Sequence, residues 1–242
     1  MKRLVYLGTL LCSAHLFAAD GGFYLGQTRV VFPSDKKSVA LQVTNDSTKK
    51  DWLLRSWVSN YDDDDSDQKK SPFVITPPLY RLDGNNSIQL RINAVDISGL
   101  PEDRESVYRI NVMAIPPDSA SAPGDKKADT ASGSIQFALN SRIKLFFRPA
   151  KLNQAEVVDT AWKKLTALRQ GDAVIINNPT PYYITLTRIK INGTVLNDSA
   201  VGDSMVTPEG TLKIPVSETV KRLSYQTIND YGGLTEERTI TL

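Results

Sequence analysis

The chain has 242 residues, of which 40% are hydrophobic and 23% charged, and its formal net charge is +2. This composition is typical of a folded globular protein, and the length allows one large domain or two of ordinary size. Nucleic-acid binding requires a strong basic excess or a dense basic patch, and the sequence has neither. We therefore expect no nucleic-acid partner.

The N-terminus has the pattern of a secretory signal peptide. Lys2 and Arg3 precede a short apolar run, and small residues lead to the polar residue Asp20. The apolar run is too short for a transmembrane helix, so we expect residues 1–19 to be a signal peptide with cleavage near Ala19. The mature chain would then be neutral, with 27 basic and 27 acidic residues.

The only cysteine and the only histidine of the chain are Cys12 and His15, and both would leave with the signal peptide. A mature chain without them forms no disulfide, has no Cys or His metal ligand, and lacks every catalytic arrangement of a nucleophile with histidine. The acidic run at 61–70 (YDDDDSDQKK) fails the calcium-loop template, because Asp67 and Phe73 stand where glycine and glutamate are needed. We therefore predict no enzyme activity, no cofactor and no metal site.

Apolar residues recur at every second position through most of the chain, which is the periodicity of β-strands. No amphipathic helix of more than about three turns is evident. The predicted strands include those around Val39–Val43, Trp52–Trp57, Ile88–Ile92, 105–115, 133–148, 173–177, 182–191, 211–216, 222–228 and 235–242. A change of parity at Trp57 predicts a β-bulge or a bend. The pattern indicates an all-β protein with two tandem immunoglobulin-like β-sandwich domains, 20–148 and 149–242.

The strand predicted at 133–148 has an apolar face of odd-numbered residues and a basic face of even-numbered ones. A loop rich in Pro, Ser and Ala precedes it, at 116–132, and is predicted to be mobile. Periodicity alone favours a strand that packs in its own core. The other interpretation is an edge strand that lends its apolar row to a second protein by β-augmentation. Both remain open on periodicity alone.

Five segments of the chain stand out as motifs: QTRVVF (27–32), LPEDRESVYRINVMAIP (100–116), RIKLFFRP (142–149), NPTPYY (178–183) and INDYGG (228–233). In sequence and in order they resemble motifs of the periplasmic pilus-assembly chaperones of the chaperone–usher pathway. The resemblance implies two immunoglobulin-like domains in an L shape, with a cleft between them. It also implies that the chaperone binds, folds and caps pilus subunits by donor-strand complementation and delivers them to an outer-membrane usher.

The resemblance assigns roles to individual residues. Arg29 and Lys144 match the pair that binds the client's terminal carboxylate. The residues matching the inserted donor strand are Ile135, Phe137 and Leu139. The residues matching the charge network that fixes the angle between the domains are Glu105, Arg148 and Asp230. Three tyrosines are expected to pack with polar tips at the surface, namely Tyr182, Tyr183 and Tyr231.

Arg109 departs from the family pattern, which usually has an aromatic residue or threonine at this position. The loop before the donor strand is of intermediate length, and the mature chain has no cysteine. Both features favour a chaperone of rod-type pili. The resemblance implies a periplasmic location, and an unloaded donor strand could allow self-association. The alternatives are a structural or adhesive pilus component, and a secreted carbohydrate-active enzyme on a β-sandwich, for which no carboxylate pair lies in a recognisable catalytic motif.

Overall fold

The computed structural model describes residues 21–48, 50–63, 71–116, 137–197, 201–217 and 219–242. The predicted signal peptide, most of the acidic run and the loop at 117–136 lie outside these ranges. The first half of the described chain contains nine strands: β1 (Phe23–Leu25), β2 (Arg29–Pro33), β3 (Ser38–Asn45), β4 (Trp52–Asn60), β5 (Phe73–Thr76), β6 (Leu79–Leu82), β7 (Asn86–Ala94), β8 (Ser106–Ile115) and β9 (Leu139–Arg148).

These strands form two sheets that enclose one hydrophobic core. One sheet has the order β1-β3-β7-β5 and the other β2-β9-β8-β4-β6; β2 and β9 pair in parallel, and the other pairs are antiparallel. Alternate side chains of each strand point inward, as the sequence pattern predicts. Leu41 and Leu90 come from one sheet, Leu54 and Val112 from the other, and all four are fully buried.

An aromatic cluster fills the part of this core next to β9. The ring centroid of Phe73 lies 5.1 Å from those of Phe32 and Tyr108 and 6.1 Å from that of Phe147. Burying one such side chain fully contributes about 1.5–3 kcal/mol. Because Phe147 belongs to this cluster, the C-terminal half of β9 is anchored in the core of its own domain.

The predicted bulge in β4 is wrong. Pairing of β4 with β8 runs without a register shift from Leu53–Ile115 to Asn60–Tyr108. The core-facing positions remain even-numbered throughout, and Ser56 occupies the one next to Trp57. Trp57 instead lies on the opposite face, where the guanidinium of Arg55 stacks 5.1 Å from its ring centroid. A small polar residue at a core position therefore imitated a change of parity.

The second half of the described chain forms a second β-sandwich with its own core. A short α-helix, α1 (Ala155–Thr160), lies between two 3₁₀ helices (Ala150–Leu152 and Ala161–Lys164). The strands are β10 (Thr166–Gln170), β11 (Ala173–Asn177), β12 (Ile184–Ile191), β13 (Thr194–Val195), β14 (Met205–Val206), β15 (Thr211–Pro215), β16 (Arg222–Thr227) and β17 (Arg238–Thr241). One sheet has the order β10-β11-β15 and the other β13-β12-β16-β17, with β14 paired to β12. The all-β architecture of two sandwich domains is confirmed.

Strand β9 begins later than predicted. Residues 133–136 are outside the described ranges, Phe137 and Ala138 precede the strand, and pairing begins at Leu139. Strand β8 pairs with β9 from Leu139 to Phe147, whereas β2 pairs only with residues 144–148. Within the described part of the chain, residues 139–143 of β9 therefore have one strand neighbour, and their other edge is open. None of the described helices is long and apolar enough to span a membrane.

Candidate functional site

Three even-numbered side chains of β9, those of Lys144, Phe146 and Arg148, contact the second domain. The ring of Phe146 lies 5.9 Å from that of Tyr183, and the backbone N–H of Glu105 donates to the carbonyl of Pro181 at 2.9 Å. The odd-numbered side chains of Leu145 and Phe147 point into the first domain's core instead. The strand thus carries the interface between the domains on one face and core residues on the other.

Three cationic side chains lie side by side on three neighbouring strands. Arg29 of β2 is directly opposite Lys144 of β9, and Arg109 of β8 is opposite Lys144 on its other side. Residues in register on adjacent strands point to the same face of a sheet, and the strands are about 4.8 Å apart. Arg29, Lys144 and Arg109 therefore form one row, which we call the cation row.

Arg29 is the most buried member of the cation row, with 8% of its surface exposed. One of its terminal nitrogens (Nη1) donates to the carbonyl of Ile228 at 3.0 Å, and its guanidinium lies 5.7 Å from the ring centroid of Phe146. Its Nε is buried and has no hydrogen-bond acceptor in the described structure. Burial lowers the pKa of Arg29, although the charges of Asp230 and Glu105 oppose this. A guanidinium with an unused N–H can still donate a hydrogen bond to an anion.

Lys144 lies at the centre of the cation row and is partly buried, with 22% of its side chain exposed. Its Nζ is 3.8 Å from Oδ1 of Asp203 in the second domain and 5.6 Å from the ring centroid of Tyr61. Burial lowers the pKa of Lys144, Asp203 opposes that shift, and the neighbouring charges of Arg29 and Arg109 add to it. This ammonium group is therefore partly desolvated, and its contact with Asp203 is long for an ion pair.

A second cluster lies four residues further along β9 and is fully paired. The Nε of Arg148 donates to Oε1 of Glu105 at 2.6 Å, and its two terminal nitrogens donate to both oxygens of Asp230 at 2.6 and 2.9 Å. The second oxygen of Glu105 accepts from the backbone N–H of Tyr183 at 2.8 Å. Burial alone would lower the pKa of Arg148, but the contacts with Asp230 and Glu105 raise it overall. Burial raises the pKa of Glu105, against the opposing charge of Arg148.

This second cluster, which we call the Arg148 network, joins residues from both domains. Glu105 and Arg148 belong to the first domain, and Asp230 follows β16 in the second. Bidentate contacts between arginine and carboxylate fix both distance and orientation. The structure thus brings together the three residues that the resemblance grouped, with contacts that cross from one domain to the other.

Two of the three residues matching the donor strand lie among the described residues. Ile135 is outside the described residues. Phe137 and Leu139 are 73% and 54% exposed, which is unusual for large apolar side chains near a domain core. Ile143 is partly buried against the first core, and Leu145 is fully buried there. The apolar face of β9 is therefore buried in the first core at the C-terminal end of the strand and exposed at its N-terminal end.

Two tyrosines fit the expected packing role, and one does not. Tyr182 is buried, and its hydroxyl donates to the carbonyl of Leu152 at 2.8 Å. Tyr183 packs against Phe146, as described above. Tyr231 is 92% exposed, so the expectation that it packs is wrong. It lies in a tight turn, closed by the side chain of Asn229, which points the ring towards solvent.

The sequence did not identify two residues that lie beside the cation row in space but far from it in the chain. Tyr61 stacks under Arg109, whose guanidinium lies 4.5 Å from the centroid of the tyrosine ring. The hydroxyl of Tyr61 donates to Oδ2 of Asp203 at 2.7 Å. Burial raises the pKa of Tyr61 to about 12, and its hydrogen bond to Asp203 adds to this. Neither Tyr61 nor Asp203 lies in a matched motif, so the sequence held no signal for this contact between the domains.

The described residues contain no group of three or more Asp, Glu, Cys or His side chains that could hold a metal ion. The chemistry that the site does offer is binding: an open strand edge, exposed apolar side chains and a row of cations. This combination fits an extended segment of another protein that ends in a carboxylate.

Comparison with known proteins gives matches over both domains. Residues 22–153 match the family described as pili and flagellar-assembly chaperone, PapD N-terminal domain, and residues 160–239 match the pili assembly chaperone PapD, C-terminal domain. The chain is 38% identical to the chaperone protein FocC of Escherichia coli over 98% of this chain and 97% of that protein. The solved structure of the periplasmic chaperone SfaE is similar with a TM-score of 0.74 and 36% identity, covering 91% of this chain and 100% of that one. A structure of the Salmonella enterica SafA pilin in complex with the SafB chaperone matches with a TM-score of 0.75 and 26% identity, covering 91% and 96% of the two chains.

Proposed function

Because the chain belongs to the family of pili assembly chaperones, which are not enzymes, we propose that β9 binds pilus subunits by completing their unfinished β-sandwiches. The single observation that carries this proposal is the open edge of β9 at residues 139–143, next to the exposed side chains of Phe137 and Leu139. An unpaired, apolar strand edge is a template for strand addition.

The position of β2 defines where a client strand would lie. Strand β2 covers the same edge of β9 from residue 144 onwards, so a client strand on residues 139–143 would continue the line of β2. The client strand would end where β2 begins, at Arg29 and the cation row. With its terminus at that point, the client strand would run parallel to β9, as β2 does.

The exposed apolar side chains supply the driving force for binding. Ile135, Phe137 and Leu139 lie at alternate positions and would enter the client's groove together. Burial contributes about 1.5–3 kcal/mol for each large side chain before the cost of ordering the segment is subtracted. Backbone hydrogen bonds along the open edge do not depend on the client's sequence, so one chaperone can bind several subunits.

Arg29 and Lys144 would bind the client's terminal carboxylate. A carboxylate that leaves water needs charged donors, and charge-assisted hydrogen bonds are about twice as strong as neutral ones. Anchoring the terminus also fixes the register of the paired strands, because a slip of one residue would turn every apolar side chain of the client to the wrong face.

Other parts of the proposal concern the frame around this site. The Arg148 network would hold the two domains at a fixed angle, with the domain boundary at Pro149. The predicted signal peptide and the similarity to a periplasmic chaperone support a periplasmic location, where the loaded complex would deliver its subunit to an outer-membrane usher. The two alternatives, a pilus component and a carbohydrate-active enzyme, are not the families that the chain matches.

A site-specific crosslink tests the proposal. Cys12 is the only cysteine and belongs to the predicted signal peptide, so Leu139→Cys gives the mature chain one thiol for a photo-crosslinker. Leu168→Cys on β10 is the matched control, since Leu168 is 56% exposed against 54% for Leu139. With a co-expressed pilus subunit we expect a crosslink from position 139 and none from 168. Equal labelling at both positions would contradict the proposal.

A further inference from the structure

We propose that the carboxylate site is larger than the pair of Arg29 and Lys144: Arg109 is its third cation, and Asp203 is an internal carboxylate that competes with the client's. This inference rests on the proposed function and names further residues of the same site. It assigns opposite effects to two side chains, one in each domain: Arg109 departs from the family pattern at its position, and Asp203 lies in no matched motif. The cation row therefore has a tunable affinity for the client terminus.

Arg109 carries a positive charge that the described acids do not neutralise. Its guanidinium stacks on Tyr61, and no carboxylate of the described residues lies within ion-pair distance of it. Stacking holds the side chain beside Lys144 and leaves its charge without a carboxylate counter-ion. Because Tyr61 also lies 5.6 Å from Lys144, one ring supports two cations. A charge held in this way strengthens the attraction of the row for an incoming anion.

Asp203 of the second domain contacts both Lys144 and Tyr61. One of its oxygens accepts from the hydroxyl of Tyr61 at 2.7 Å, and the other lies 3.8 Å from Nζ of Lys144 and accepts from the backbone N–H of Met205 at 3.1 Å. Its side chain is 51% exposed, so water can replace its contact with Lys144 at little cost. A client carboxylate would meet this negative charge and displace it from the lysine.

The row has unused binding capacity even with Asp203 in place. The buried Nε of Arg29 has no acceptor among the described residues, and the contact between Lys144 and Asp203 is long for an ion pair. Among the described residues, Asp203 is the one acidic side chain within ion-pair distance of a member of the row. Arg109 therefore offsets the negative charge that Asp203 brings and leaves Lys144 available to the client.

The test measures how strongly the purified chain prefers a free carboxylate over an amide. The probes are two fluorescent peptides of identical sequence, with alternating Val and Thr, one ending in a carboxylate and one in an amide. We expect Arg109→Gln to weaken binding of the free acid about three- to tenfold, and Asp203→Asn to strengthen it by a similar factor. Binding of the amide should change in neither variant, and Arg109→Lys should retain the preference.

Matched controls separate charge from folding and this inference from the proposed function. Arg91→Gln and Asp172→Asn alter exposed residues away from the row and should have no effect. Lys144→Ala should abolish the preference for the free acid. If it does so while Arg109→Gln and Asp203→Asn leave the preference unchanged, the inference is wrong and the proposed anchor stands. If Lys144→Ala also keeps the preference, the anchor itself is wrong.

Discussion

The two charge clusters of β9 differ in how completely they are paired. Arg148 is 4% exposed and donates to two carboxylates at 2.6–2.9 Å, whereas Lys144 is 22% exposed and has one acid at 3.8 Å. Both cations are drawn from the same face of the same strand, four residues apart. On our proposal, the fully paired network fixes the angle between the domains, and the incompletely paired cation row binds the client's carboxylate.

The apolar face of β9 shows the same contrast. Leu145 and Phe147 are buried in the core of the first domain, whereas Phe137 and Leu139 are largely exposed. Strand β2 pairs with the stretch of β9 that contains the first pair and does not reach the second pair. The strand is therefore a structural element in its C-terminal half and, on our proposal, a donor strand in its N-terminal half.

The Arg148 network offers the largest expected effect. Arg148→Ala would leave Glu105 buried and Asp230 partly buried without their cation, which costs about 3–5 kcal/mol of the free energy of unfolding. Urea unfolding of the purified chain measures this loss. Lys144→Ala is the matched control on the same face, and it should cost less than about 1 kcal/mol because its pairing is weak. Equal losses in both variants would show that the two clusters do not differ as described.

The cation row comes next, and there the effect is on binding. Lys144→Ala and Arg29→Ala should each leave the chain folded and abolish recovery of pilus subunits, a loss of about 2–4 kcal/mol in binding. Pull-down of a co-expressed subunit from periplasmic extracts, with thermal unfolding as the folding control, measures this. Normal subunit yield from either variant would contradict the proposed anchor.

The exposed apolar side chains are expected to matter for binding more than for stability. Phe137→Asp places a charge in the client's groove and should weaken capture by about 2 kcal/mol, the contribution of one buried side chain. Because Phe137 is 73% exposed, the melting temperature should hardly change. Parallel binding and melting assays test this, with Phe147→Asp expected to disrupt folding instead. The interpretation fails if Phe137→Asp lowers the melting temperature as strongly as it lowers binding.

The smallest expected effect is a pH dependence of binding. Burial lowers the pKa of Lys144, so this group loses its charge at a lower pH than an exposed lysine does. Binding of a free-acid peptide should therefore weaken as the pH rises towards that lowered value, by about three- to tenfold. Arginine remains charged over this range, and the pKa of Tyr61 is about 12, so neither interferes. The Lys144→Arg variant should remove the alkaline loss, and an unchanged profile would exclude Lys144 as its source.

Most of the ten strands predicted from periodicity match observed strands within one or two residues at each end, but β1, β5, β6, β10, β13 and β14 were not predicted. The predicted strands at 105–115 and 173–177 correspond to Ser106–Ile115 and Ala173–Asn177. Periodicity failed in β4, where Ser56 at a core position imitated a bulge. It also placed the start of β9 too early, because alternation continues through residues that precede the paired strand. Periodicity reports which residues share a face, and pairing partners decide where a strand begins.

The candidate site was predictable only where residues belong to a recognisable motif. Arg29, Lys144 and the Arg148 network lie in such motifs, and the structure places each group together. Arg109 stood out as a departure, but its stacking on Tyr61 depends on the end of β4. Asp203 reaches Tyr61 from the other domain, 142 residues away in the chain. Contacts of this kind depend on the relative placement of two domains, which local patterns do not encode.

Backbone amide hydrogen exchange along β9, measured with and without a bound pilus subunit, tests the central claim most directly. The amides of residues 139–143 that face the open edge should exchange readily in the free chain and become strongly protected in the complex. The amides of residues 145–148, which are already covered by β2 and β8, should change little. Exchange at residues 139–143 that stays the same when a subunit is bound would contradict strand donation by β9.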